Sequence, residues 1–570
     1  MNRRGDPGRT PCVIDTEQTS AGAAGPARRD RWVRRVLGAL AGLIAAAVAL
    51  GVAELVAGLV GRAASPVVAV GNAAITLVPE PLKEFAIRTF GAKDKLALVS
   101  GVFVVIAIYA VVVGLVALRR PRVGAAGVAL FGVVGVVAAV TRPAAGALDW
   151  LPSLLGALVG VVALLLLIEP LNRPRRPAMD GGTVAPTGSL ADRLRATLAS
   201  GDRKGIELDR RSFFVTSGVA VGVAALAGGG GRLLQRRFDV AEARAGLTLP
   251  RAASAAPPLP PGADLAETVP GVTPLVTANR DFYRVDTAIT VPQIRPDAYR
   301  LSLSGMFDQK RTFTLQDLFG RRDLIERDDL VERDITLTCV SNEVGGRLAG
   351  TARWLGVPLG AFLRENGVRA NSTQLVCRSI DGMTIGAPTK AALDTEDAML
   401  AFGMNGEPLP TEHGFPVRMI IPGLYGYVSA CKWLTSIEAT TFEAFDPYWV
   451  QRGWTAQAPI KVASRIDTPA PQRAYPAGRR SIAGVAWAQA RGIAAVEVQV
   501  DDGAWQQARL SPETDADLWR QWVLPYEFPA GTHTVTVRAR AADGEIQTSD
   551  RASPFPNGSS GWHSIQVIAR

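Results

Sequence analysis

Four nearly unbroken apolar runs in the first third of the chain limit its fold more than any other feature. They are WVRRVLGALAGLIAAAVALGVAELVAGLV, LALVSGVFVVIAIYAVVVGLVAL, VGAAGVALFGVVGVVAAV and LPSLLGALVGVVALLLLI. Each is long enough to cross a hydrocarbon core as a helix, and four in close succession exceed what the interior of a soluble domain needs. Residues 31–170 are therefore expected to form a four-helix transmembrane region. The basic clusters RRDRWVRR, RRPR and NRPRRP fall on one side of these spans, which makes that side cytoplasmic. Residues 1–30, rich in Gly, Pro and Arg without apolar periodicity, read as a disordered cytoplasmic tail. Residues 62–94 then lie outside, partly at the interface, and Glu54, Glu80 and Glu84 read as solvated or snorkelling carboxylates. No broken helix with paired intramembrane charges points to a transporter.

A hydrophilic cytoplasmic loop over 171–210 leads to DRRSFFVTSGVAVGVAALAGGGGRLLQRR. Residues 211–231 are either a fifth transmembrane segment or an internal twin-arginine export signal. Both place everything after 232 outside the cytoplasmic membrane, and the export reading adds a domain that folds with its cofactor before crossing. Residues 232–276, with AASAAPPLPPGAD, read as a Pro/Ala-rich linker.

The net charge of +10 sits in arginines beside the apolar segments, which favours membrane topology and excludes a nucleic-acid partner. Four cysteines, Cys12, Cys339, Cys377 and Cys431, and three histidines, His413, His533 and His563, supply neither a disulfide framework nor a zinc site. Cys377 reads as core and Cys431 as a packed neighbour, with a disulfide between them as the alternative. Residues 277–458 alternate short strands with helical patterns, a mixed α+β domain, whereas 459–570 carry short strands joined by DG and PAG turns, an all-β sandwich of immunoglobulin type.

Cys339 stands in DITLTCVSNEVGG, where a strand runs into a glycine-rich loop. An isolated cysteine there is most often a small buried hydrophobe. Its context changes that reading: TANRDFYRVDTAI, LTCVSNEVGG, WLGVPLGAFL, the long stretch from DGMTIGAP to HGFPVRMIIPGLYG, and SACKWLTSIEATTFEAFDPYWVQRGW follow in order. Together they resemble the sulfite oxidase family of molybdopterin enzymes over about 275–455, and the β region behind them is similar to that family's dimerisation domain.

The resemblance implies a molybdenum and molybdopterin cofactor, with the Cys339 thiolate as both metal ligand and catalytic residue. It implies that Asn279, Phe282, Tyr283 and Arg284 line the pterin and the mouth, that Thr384 sits beside the cofactor, that His413 and Arg418 hold the pterin phosphate, and that Lys432 makes the last cofactor contact with Ser429 beside it. A guanidinium and an ammonium beside the Gly423 and Gly426 loop also suit a buried phosphate on physical grounds alone. Two departures stand out. Glu343 and Val344 follow Asn342 where the family places anion-binding arginines, and Trp454 stands where it places a tyrosine. A carboxylate repels a small dianion, so an S-oxide or N-oxide is as fitting a substrate as sulfite.

These residues lead to an expectation of a membrane-anchored, multi-pass oxidoreductase with an extracytoplasmic catalytic domain. It would transfer an oxygen atom to or from a small molecule, with a quinone or redox protein as electron partner and a homodimer through the C-terminal domain. The rival reading is a cell-envelope binding protein that keeps the fold without redox function.

Overall fold

The computed structural model describes residues 25–77, 94–142, 145–172, 192, 210–320 and 329–570. The tail expected at 1–30 and the loop at 171–210 lie almost wholly outside these residues, as do Glu80 and Glu84. The chain divides into two compact units, Met1–Leu59, Ser100–Val136 and Trp150–Arg232 in one, Val60–Val99, Val137–Asp149 and Leu233–Arg570 in the other.

Among the described residues five helices are long and apolar enough to cross a membrane: Arg31–Val60, Ala97–Ala117, Pro121–Val140, Leu151–Asn172 and Arg211–Ala245. The first unit packs them around Leu37, Ala41, Val48, Leu164, Leu167, Ile168 and Phe213. The small residues of GALAG set one crossing. A Cβ on Gly42 would overlap the carbonyl oxygen of Ala110, and one on Gly114 would overlap that of Gly38. Helices that touch backbone to backbone need glycine at the contact. Val105, Ile108, Val133, Phe214 and Val219 point outward from the unit, a surface that suits hydrocarbon and not water.

In the second unit the chain from 277 to 458 builds two sheets. One orders Arg311–Phe313, Leu301–Gly305, Leu434–Thr440, Gln374–Ser379 and Thr384–Pro388; the other orders Val331–Thr338, Ala349–Pro358, Met399–Met404 and Glu407–Pro408, with Arg418–Ile420 also paired to Met399–Met404. A core of Leu303, Phe319, Val357, Phe362, Leu375, Phe402 and Trp433 joins them. Residues 459–570 form two further sheets that close on one core containing Ile482, Trp522, Val496, Val535 and Val567.

Val331–Thr338 is buried on both sides over its second half. Alternation explains this, because Ile335 and Leu337 enter the core around Trp354 and Met399, leaving the threonines on the opposite face. There Thr336 accepts from Trp519 N at 2.8 Å, and Gln489 Nε2 donates to Thr338 Oγ1 at 3.1 Å. The β region is thus built onto the strand that leads into Cys339.

Residues 232–276, expected as a linker, lie against the second unit instead of hanging free. Ala253 N donates to Leu330 O at 2.8 Å, Arg244 Nε to Leu409 O at 2.8 Å, and Leu265, Val269 and Val272 are buried with Ala483 and Val523. The proline-rich composition keeps the segment extended, and its scattered apolar side chains pin it down.

Candidate functional site

Cys339 follows directly on the strand Val331–Thr338 and is buried. Its amide donates to Leu348 O at 2.9 Å and its carbonyl accepts from Asn342 N at 3.0 Å, closing the loop that carries Gly345 and Gly346. Burial pushes the Cys339 thiol up, while hydrogen bonds from Ser341 and the charge of Lys432 pull it back. Gly426 faces the preceding residue: a Cβ there would lie 3.8 Å from Thr338 O and 4.0 Å from the Tyr283 hydroxyl. Desolvation, and then Cys339, raise the Tyr283 phenol above its usual range.

Beside this thiol the structure gathers most of the residues expected from sequence. Phe282 stacks on Tyr283 with centroids 5.2 Å apart and meets the His413 ring edge-on at 5.4 Å. His413 Nε2 lies 2.9 Å from Asn279 O. Desolvation, reinforced by Arg418 and Lys432, pushes His413 down to about 4, so the ring is neutral at pH 7. A neutral ring bonded to a carbonyl must carry its proton on Nε2, which leaves Nδ1 as an acceptor.

Arg418 is 5% exposed and lies over the Trp354 ring, 5.0 Å from its centroid. Its Nη1 donates to His413 O at 3.1 Å, but its buried Nε has no hydrogen-bond partner. Among the described residues no carboxylate pairs with it. Burial lowers this guanidinium to about 10, so it remains charged. Lys432 is pushed down to about 8 by burial, against which the Asp286 carboxylate holds it up. Asp286 Oδ2 accepts from Lys432 Nζ at 2.5 Å and from Arg284 Nε at 2.8 Å. Two cations, Lys432 and Arg284, therefore share the Asp286 carboxylate, and Arg418 stands apart from that pairing.

Other expected residues stand differently. Asn279 spends its side chain on the 404–407 turn, donating to Met404 O and accepting from Asn405 Nδ2 at 2.8 Å, so it serves His413 through its backbone. Ser429 is fully buried, with its hydroxyl 2.9 Å from Leu424 O and 3.1 Å from Tyr425 O, and fixes the turn before it instead of presenting a free hydroxyl. Thr384 Oγ1 accepts from Tyr448 N at 3.0 Å on a strand packed against Gly426–Ser429. Cys377 lies 3.5 Å from the Met419 sulfur, and Cys431 is buried; both are free thiols, so the disulfide alternative does not form. Glu343 is exposed. Trp454 is buried among Tyr427, Trp449 and Phe555, and its Nε1 has no hydrogen-bond partner.

Sequence reasoning missed Asp286 and Trp354. The first had a signal, an acid two residues after Arg284, whose guanidinium it meets. The second had none, since only the sheet brings Trp354 under Arg418.

Residues 288–449 match the oxidoreductase molybdopterin binding domain family. Human mitochondrial sulfite oxidase is 30% identical over 344 residues, covering 51% of this chain and 61% of that protein. Sulfite oxidase of Gallus gallus is 27% identical over 358 residues, covering 53% and 74%. The sulfane dehydrogenase SoxCD from Paracoccus pantotrophus aligns with a TM-score of 0.44 at 21% identity, over 54% of this chain and 85% of that one. The match thus spans under two thirds of the human relative's length. The motifs around Cys339, His413, Arg418 and Lys432 fall inside residues 288–449, which form an oxidoreductase molybdopterin binding domain similar to that of the sulfite oxidases, and that domain implies a cofactor of molybdenum held by molybdopterin.

Proposed function

We propose that this chain is a membrane-anchored, extracytoplasmic oxidoreductase that transfers an oxygen atom to or from a small S-oxide, N-oxide or sulfite-like substrate. The observation that carries the reading is Arg418, a buried, charged guanidinium with an unpartnered Nε beside a pocket that also holds Lys432. A cation left this way in an apolar interior is stable only if an anion arrives.

The pocket fits a phosphate-bearing pterin. Arg418 and Lys432 supply the positive charge, and Arg284 and Asp286 orient Lys432. Phe282 and Tyr283 supply flat apolar surface, and Gly426 brings its backbone close to the Tyr283 hydroxyl and to the carbonyl before Cys339. Cys339 offers a soft sulfur ligand, and Lys432 favours its thiolate form. When bound, the molybdenum centre supplies two-electron oxygen-atom transfer, with a quinone or redox protein as the electron partner. The chain's own residues hold the pterin, keep Cys339 in place and shape the mouth. With Glu343 and Val344 on the loop after Cys339 where the family places anion-binding arginines, and Trp454 among aromatic rings, a neutral substrate is favoured over a dianion.

Three further assignments belong to this reading. Residues 277–458 are the cofactor domain and 459–570 an immunoglobulin-like domain able to pair two copies. Thr384 supports the cofactor side of the pocket through Tyr448. The basic clusters beside the spans support an outward-facing catalytic domain, reached by a fifth span or a twin-arginine signal over 211–231.

The test is metal and pterin analysis of the full chain purified from a host that makes the cofactor. Stoichiometric molybdenum and pterin, with viologen-linked reduction of an S-oxide lost in Cys339→Ser, are expected. Protein free of both would favour a redox-inactive binding protein.

A further inference from the structure

The loop that carries Cys339 is held from outside its own domain. Three groups of the C-terminal β region reach its tip. Ser559 Oγ donates to Asn342 O at 2.6 Å, and Arg465 Nη1 donates to Gly346 O at 2.9 Å. The imidazole of His563 fills the place where a side chain at Gly345 would stand: a Cβ there would overlap the ring. Gly345 has φ +78°, a conformation that glycine adopts without strain, so backbone and imidazole fit together only because no side chain intervenes.

Each of the three is itself fixed. Arg465 splits its fork between Asp467 at 2.6 Å, Thr273 at 2.9 Å and the loop, and its guanidinium lies 5.9 Å from the Trp519 ring centroid. His563 Nδ1 accepts from Ile466 N at 3.0 Å. The segment carrying Ser559 is tied through Lys461 Nζ, which donates to Gly558 O at 2.7 Å and to Asn557 Oδ1 at 3.0 Å. Within the loop, Asn342 Oδ1 accepts from Leu348 N at 2.7 Å, and Gly346 N donates to Glu343 O at 2.8 Å. These two bonds join loop residues to one another and do not tie the tip to the sheet.

We infer that the C-terminal β region braces the Cys339 loop, with Arg465, Ser559 and His563 as positioning residues for the thiolate. The inference rests on the reading of Cys339 as the metal ligand for its functional meaning, though not for its structural content. A ligand held on a loop keeps a fixed direction only if the loop has one conformation, and here that conformation is set from the neighbouring domain.

Hydrogen–deuterium exchange of the full chain in detergent tests the brace, with Arg465→Lys, Ser559→Ala and Ser559→Thr compared to wild type. Lysine keeps the charge, but its compact ammonium cannot span the three separated acceptors that the guanidinium fork reaches. In Arg465→Lys and Ser559→Ala the amides of 340–348 should exchange about tenfold faster, as expected for one lost hydrogen bond, while Val331–Thr338 and Ala349–Pro358 keep their protection. Ser559→Thr keeps the hydroxyl and should restore slow exchange. In molybdenum-loaded protein the two impaired variants should lose kcat with KM unchanged. Unchanged loop exchange, or loss of protection across both strands together, would overturn the brace. If Cys339→Ser leaves turnover intact, the ligand reading falls, while the exchange result still decides the brace.

Discussion

Lys432 and Arg284 meet on a single oxygen of Asp286, at 2.5 and 2.8 Å, and the shared carboxylate is only 5% exposed. The sharing sets the electrostatics of the pocket, because Asp286 offsets one of the two charges and leaves Arg418 uncompensated.

Asp286→Asn keeps the shape and removes the charge. Lys432 and Arg284 then lose their shared counter-charge, the lysine in a desolvated site, so the protein free of cofactor should lose about 3 kcal/mol of stability, the cost of breaking a buried pair. Chemical denaturation of protein made in a cofactor-deficient host measures this. Added phosphate should recover part of the loss in the variant and little in wild type. Equal stability of the two proteins would show that the pair contributes nothing.

Gly426 has room for a methyl group. An alanine Cβ would make only ordinary contacts, at 3.6 Å to Ala430, 3.8 Å to Thr338 O and 4.0 Å to the Tyr283 hydroxyl. Gly426→Ala should therefore fold with its thermal midpoint near wild type. Gly426→Leu exceeds that room, so pterin content should drop at least tenfold while the secondary structure is retained. Pterin fluorescence after acid oxidation, read beside circular dichroism, separates these outcomes.

Two histidines predict acid sensitivity. Burial holds His413 and His563 at about 4, below their ordinary 6.5. The folded chain binds fewer protons than the unfolded chain between those values, so this stability is fully present above pH 6.5 and is lost as pH falls toward 4. Thermal midpoints of cofactor-free protein should decline through that window, and His563→Asn should flatten part of the decline. A slope unchanged in that variant would remove His563 from the account.

Asp517 acts in the opposite sense. Desolvation first, then Asp515 and Asp397, raise it to about 7 from an ordinary 3.8. Its folded form binds the extra proton, so stability is lost as pH rises from 3.8 through 7. Asp517→Asn can still accept from Ala490 N, as the carboxylate does at 2.8 Å, without the charge. The variant should melt higher than wild type at pH 8 and no higher at pH 4. Scanning calorimetry at the two pH values checks both halves.

Much of this was legible in the sequence, for identifiable reasons. Length and hydropathy alone mark helices able to cross a membrane; among the described residues four of the five follow the expected runs, and the fifth, Arg211–Ala245, runs on past 231. Cys339, His413, Arg418 and Lys432 stand in stretches whose order carries the resemblance, and the fold brings Arg418 onto the His413 carbonyl and Lys432 onto that of Glu412. What could not be read depends on contacts between distant segments. Asp286 and Lys432 are 146 residues apart, and nothing local marks them as partners. Ser429 was expected beside the cofactor, but its hydroxyl turns back onto Leu424 and Tyr425, a choice made by the backbone of its own turn. The segment 232–276 has the composition of a linker, yet its few apolar residues suffice to dock it.

Thr336 spends every polar group it has at the seam. Its N–H goes to Asp517 O, its carbonyl accepts from Gln489, and its hydroxyl joins Thr351 to Trp519 N. Cutting the chain near 458 would strip three of these four partners at once and uncover an indole that is 2% exposed. The two regions lie in one compact unit, and exchanging the β region as a cassette would leave the strand that ends at Cys339 with buried polar groups to satisfy anew.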